Sequence, residues 1–96
     1  MGSENFLILD IETYGGSFNT FPRGFNLLFT GTRFRTDYAI YTSESSSLEL
    51  MRSTLDKFNG TIVTFNGIRF DMPILEKIVE DTLETDLRIG AHYDLL

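Results

Sequence analysis

The stretch FLILDIET, Phe6 to Thr13, most constrains the fold of this 96-residue chain. Side chains alternate across a strand, so Phe6, Ile8, Asp10 and Glu12 share one face and Leu7, Leu9 and Ile11 the other. Both faces are apolar before Asp10. That pattern predicts a central strand covered on both sides, unlike an edge strand or a strand with one wet face. Unpaired carboxylates at the rim of a covered strand are costly, so Asp10 and Glu12 need metal, a partner group or water.

The following elements are read from periodicity and punctuation. YGGSFNTFPRG, with Gly15, Gly16, Pro22 and Gly24, is a loop with aromatic tips. FNLLFTGTRF and RTDYAIYTS, joined by a short polar turn, are rich in aromatic and β-branched residues and complete an antiparallel meander with the first strand. SSSLELMRSTLDKFNG predicts a helix: Ser46 and Glu49 form a capping box, Leu48, Met51, Leu55 and Phe58 make an apolar stripe, and Asn59-Gly60 stops it. TIVTFN, Thr61 to Asn66, then reads as a strand parallel to the first, reached by a crossover. DMPILEKIVED is a second amphipathic helix with Ile74, Leu75, Ile78 and Val79 inward and Pro73 in its first turn. IGAHYDLL begins like a further strand or helix, so the expected order is β-β-β-α-β-α with the last element cut short.

This length allows one domain, taken as residues 1–96. With 42% hydrophobic residues, nine Phe and only two Pro, the chain belongs with folded globular proteins. The absence of cysteine removes disulfides, thiol nucleophiles and cysteine metal sites from consideration. No apolar run approaches a membrane span and the N-terminus lacks a signal-peptide pattern, leaving cytoplasm as the default compartment. A net charge of −6 argues against a broad basic nucleic-acid face. It is compatible with a metal-dependent nuclease, because bound divalent cations reverse the local field where a phosphate would sit.

Alternation on a strand places Asp10 and Glu12 roughly 7 Å apart on one face. One divalent ion can bridge such a pair, and hard cations such as Mg²⁺ and Mn²⁺ choose carboxylate oxygens. The bland reading is that Asp10 begins a turn and Glu12 is solvated. TFNGIRFDMPIL supplies a third carboxylate. Asn66-Gly67 makes a tight turn, Phe70 anchors the loop, and Asp71 projects from a helix N-terminus at the exit of the parallel strand, near Asp10 and Glu12. Alone, Asp71 also reads as a simple helix N-cap before proline.

Together, LDIET and FNGIRFDMPIL resemble the first two motifs of the DEDD superfamily of 3′→5′ exonucleases. The nearest likeness is to the exonuclease domains of family B DNA polymerases and their predicted stand-alone relatives. Their second motif has Asn, two or three residues, then Phe or Tyr and Asp; here it reads Asn66, Gly67-Ile68-Arg69, Phe70, Asp71. HYDLL is similar to a later strand of these relatives that carries H-x-D-L. The resemblance implies an α/β, ribonuclease H-like fold: a three-stranded antiparallel meander, a parallel strand and flanking helices. It also implies two-metal hydrolysis of DNA or RNA from a 3′ end, with Asp10, Glu12 and Asp71 as catalytic metal ligands for Mg²⁺ or Mn²⁺. The family's third motif, a Tyr or His a few residues before a fourth carboxylate, has no counterpart, since His92 and Asp94 are too close together. The expectation is therefore a domain truncated before that motif, without its general base.

Other residues carry weaker expectations. Arg33, Arg35 and Arg69 could touch phosphates or pair with neighbouring acids. Phe18 and Phe21 could stack on a terminal base or pack the loop onto the sheet. Asn66, Phe70, Arg69 and Phe18 are the candidate substrate contacts, with a single-stranded nucleic acid or a 3′ end as partner. The alternatives are a non-catalytic nucleic-acid- or protein-binding module that keeps the fold, and a small α/β domain whose acids are coincidental. An exposed sheet edge would favour self-association or a partner chain completing the domain.

Overall fold

The structure is a computed structural model describing residues 5–95; Leu96, the last residue of HYDLL, lies outside the described residues. Five strands, β1 (Phe6–Tyr14), β2 (Asn26–Phe34), β3 (Asp37–Tyr41), β4 (Thr61–Thr64) and β5 (Ala91–Asp94), form one sheet in the order β3-β2-β1-β4-β5. The first three strands make the expected antiparallel meander, with Leu9 opposite Thr32 and Thr32 opposite Ala39. β4 pairs with β1 in parallel, from Phe6 opposite Thr61 to Ile8 opposite Val63. A parallel neighbour needs a crossover, and α1 (Ser45–Lys57) occupies it. The last segment completes a strand: β5 pairs in parallel with β4, with Thr64 opposite Asp94.

The core lies on one side of this sheet. Leu7, Leu9 and Ile11 of β1 are buried against Leu48, Met51 and Leu55 of α1 and Ile74, Leu75 and Val79 of α2 (Met72–Leu83). Both apolar stripes follow helical spacing, so each helix presents one face to the sheet. The expectation that β1 is covered on both sides is not met. Phe6 is 49% exposed and Ile8 48% exposed, because both helices lie on the Leu7–Leu9–Ile11 side.

Two local details also depart from the sequence reading. The capping box at Ser46 and Glu49 does not form. The helix starts at Ser45 after an extended Glu44, Ser47 Oγ accepts the Thr42 N–H at 2.8 Å, and Glu49 pairs with Arg52 at 2.7 Å. The second departure concerns Arg35, which sits in the β2–β3 turn with φ 59° instead of continuing a strand. Its carbonyl accepts from Arg33 Nε, and the two guanidinium groups lie over the rings of Phe34 and Tyr38. These arginines are occupied with their own strand ends.

The junction between β4 and α2 positions the remaining acid. Asn66 is left-handed, with φ 66°, and a π-helical turn, Gly67–Asp71, follows it directly into α2. Asp71 has helical backbone angles and makes no side-chain cap. It is therefore not an N-cap: helical geometry begins four residues earlier, and its carboxylate is free for other use.

Candidate active site

Pairing between β1 and β4 runs from Phe6 to Ile8, whereas β1 continues to Tyr14. Beyond Ile8, β1 has no strand partner on its β4 side. The π-helical turn fills that flank, and the Asp71 carboxylate faces the Ile11 backbone N–H, which favours its ionised form. Ile11 separates Asp10 from Glu12, both of which are exposed on the open face of the sheet. A β-bulge between Glu12 and Thr13 ends the regular register just past the pair, where bulges commonly redirect side chains.

Asp71 is only 5% exposed, and its Oδ2 is buried without a hydrogen-bond partner. Burial pushes its pKa up to about 6, and the charge of Asp10 adds to this; the Ile11 N–H opposes it, while Asp94 and Glu12 raise it further. Burial and like charges both disfavour the ionised carboxyl, so this group is held in an environment that calls for a proton or a cation. Among the described residues, no three acidic or imidazole side chains stand within joint reach of one ion. Asp10, Glu12 and Asp71 are thus neighbours through their fields, and no closed ligand cage is preformed.

A second carboxylate system, missed in the sequence, supports the turn. Thr64 and Asp94 are register partners on β4 and β5. Asp94 Oδ1 accepts the Thr64 hydroxyl at 3.1 Å and the Gly67 N–H at 3.0 Å, and Oδ2 accepts the Ile68 N–H at 3.4 Å. Although desolvation works to raise its pKa, these hydrogen bonds hold the Asp94 carboxyl below the usual range. His92 Nε2 lies 2.7 Å from the same Thr64 hydroxyl. That hydroxyl has one proton and gives it to Asp94, so His92 Nε2–H is the donor to Thr64. The signal in the sequence was the spacing of His92 and Asp94, which puts both on one face of a strand.

Phe70 belongs to an aromatic cluster with Phe18, Phe21 and Phe25, with ring centroids 5.6 to 6.3 Å apart. The glycine-rich loop is thereby packed against the residue preceding Asp71. Phe18 remains 77% exposed within the cluster and Arg69 is exposed, whereas Asn66 contributes its left-handed backbone and a carbonyl that accepts the Phe70 N–H. A shallow apolar depression lined by Ile8, Asp10, Val63, Phe65 and Leu95 adjoins the open face. A larger concavity, bounded by Pro22, Pro73, Lys77, Glu80 and Arg88, contains none of the three site carboxylates. Among the described residues no helix is long and apolar enough to cross a membrane.

Several solved structures share this architecture. The family B DNA polymerase from the hyperthermophilic archaeon Pyrobaculum calidifontis superposes with a TM-score of 0.71 at 19% identity, over 93% of this chain and 12% of the polymerase. Exonuclease I in its apo form gives 0.76 at 14% identity, over 99% of this chain and 30% of that one. An ExoI/SSB-Ct complex gives 0.75 at 13% identity, over 98% and 29%. The chain therefore spans less than a third of the length of each, and at these identities the likeness is one of fold. No curated protein matches the sequence. The family match covers residues 7–96, so it takes in the central strand, both carboxylate motifs and β5, and on that extent the chain belongs to the RNase H superfamily.

Proposed function

We propose that this chain is a divalent-metal-dependent nuclease domain of the 3′→5′ exonuclease type, hydrolysing phosphodiester bonds of DNA or RNA, with Asp10, Glu12 and Asp71 as the ligands of Mg²⁺ or Mn²⁺. The observation that carries this reading is the buried, unpartnered Oδ2 of Asp71 in the field of Asp10, Asp94 and Glu12. Buried acids whose pKa is raised by burial and like charges cluster at functional sites. The donor set is all hard oxygen, which fits Mg²⁺ or Mn²⁺. When bound, such ions lower the pKa of water and stabilise charge on the phosphodiester oxygens.

In this reading the chain's own residues divide the work. Asp71 faces the Ile11 N–H, while Asp10 and Glu12 contribute from the open face. Phe18 offers an exposed ring on which a terminal base can stack, and Phe70 packs beside that ring at a tilt. Exposed Arg69 offers a phosphate contact two residues before Asp71.

The test is cleavage of 5′-labelled single-stranded DNA and RNA with Mn²⁺, beside chelator and Asp10→Ala controls, together with calorimetric Mn²⁺ binding. The expected result is a ladder shortening from the 3′ end and Mn²⁺ binding, both lost in Asp10→Ala with unchanged circular dichroism. Equal cleavage by wild type and Asp10→Ala would sink the proposal. A second reading, a non-catalytic module that binds single strands or a partner chain, is favoured by the lack of three jointly poised ligands among the described residues. Metal-independent strand binding without turnover would select it.

A further inference from the structure

We infer that Asp94 is a positioning residue for the metal site, acting through the π-helical turn that carries Asp71. The inference rests on the metal-site reading above and adds a residue to it.

The first N–H groups of any helix lack intrahelical acceptors. Here the first two, Gly67 and Ile68, are both accepted by the Asp94 carboxylate. The same carboxylate accepts the Thr64 hydroxyl at the end of β4, so one side chain on β5 ties the strand exit to the helix start. The turn between has little slack. Asn66 is left-handed, and a Cβ at Gly67 would collide with the Thr64 side chain, so only glycine lets the turn approach β4 this closely. Four residues after Gly67, the turn ends at Asp71, whose carboxylate faces the Ile11 N–H. The turn is thus fastened to β5 at its start and packs against β1.

Both Asp94 oxygens accept donors from β4 and the turn, Oδ1 two and Oδ2 one, so its carboxylate is engaged with the backbone that carries Asp71. Groups that orient a ligand through such bonds typically account for about 10- to 100-fold in metal affinity. His92 extends the chain of contacts by donating to the Thr64 oxygen.

The experiment compares wild type, Asp94→Ala and Asp94→Asn by hydrogen exchange of backbone amides and by Mn²⁺ calorimetry well below the melting temperature, with Asp10→Ala beside them. Asp94→Ala is expected to lower protection of the Ile11 amide, which faces Asp71, at least about tenfold more than that of Val79, a buried α2 residue that reports the fold. It is also expected to weaken Mn²⁺ binding by about 10- to 100-fold. Asp94→Asn, which keeps one acceptor oxygen, should fall between. Equal losses at Ile11 and Val79, or an Mn²⁺ affinity unchanged in Asp94→Ala, would overturn the inference, since a merely structural residue would give those results. A wild-type chain that binds no Mn²⁺ would refute the metal-site reading; the exchange at Ile11 then decides by itself whether Asp94 positions Asp71.

Discussion

The Asp71 carboxylate faces the backbone N–H of Ile11, the residue that separates Asp10 from Glu12 on the central strand. This juxtaposition brings the start of α2 against β1 at the point where β4 no longer accompanies it. The Ile11 N–H favours the charged carboxyl, while burial and like charges oppose it and Oδ2 has no donor. The arrangement costs stability in the metal-free protein, which sets up the first prediction.

Asp71 has a pKa raised from 3.8 to about 6 in the folded state. Between those values the native protein binds more protons than the unfolded chain, so stability falls as pH rises from about 4 to about 6 and then levels off. The cost at neutral pH is of order 3 kcal/mol. Asp71→Asn keeps an oxygen for the Ile11 N–H and removes the charge. Urea unfolding in metal-free buffer should show it about 1–3 kcal/mol more stable than wild type at pH 7, with no advantage at pH 4. A variant equally unstable at both pH values would contradict this account.

Gly67 and Gly90 separate packing from chain flexibility. A Cβ at Gly67 would run into the Thr64 side chain, whereas one at Gly90 meets nothing within 4 Å. Gly67→Ala should therefore lose about 1–3 kcal/mol through overpacking, and Gly90→Ala should stay within about 0.5 kcal/mol of wild type. Chemical denaturation of the two variants checks the contrast, and similar losses in both would show that the turn does not depend on close approach to β4.

The start of α1 gives a third comparison. Ser47 Oγ accepts the Thr42 N–H, whereas the expected Ser46–Glu49 capping box is absent. Ser47→Ala should cost about 0.5–1.5 kcal/mol, the usual worth of one such hydrogen bond, while Ser46→Ala should be close to neutral. Melting temperatures of the two single variants, measured side by side, would reverse in order if the capping box were formed after all.

Much of the architecture was legible because it rests on short-range periodicity. The apolar stripe Leu48, Met51, Leu55 sits where helical spacing puts it, and β4 lies parallel to β1 because a helix intervenes. The capping box failed for a local reason: three consecutive serines offer alternative starts, and the Thr42 N–H selected Ser47. The N-cap reading of Asp71 failed because the π-helical turn, stabilised from β5, begins helical geometry upstream of it. That stabilisation depends on pairing between residues some thirty positions apart, such as Thr64 and Asp94, which no local window contains.

By itself the sequence determined the first four strands, the two helices and the placement of Asp10 and Glu12 on one face, since alternation and helical spacing are properties of neighbouring residues, whereas the strand β5 was left open between strand and helix. Tertiary structure decided the rest of the site. Which face of β1 stays open, where β4 stops, and which N–H groups Asp94 accepts all follow from contacts between distant segments. Those contacts bury Asp71 among like charges, and burial and field, not residue type, set the chemistry of a carboxylate.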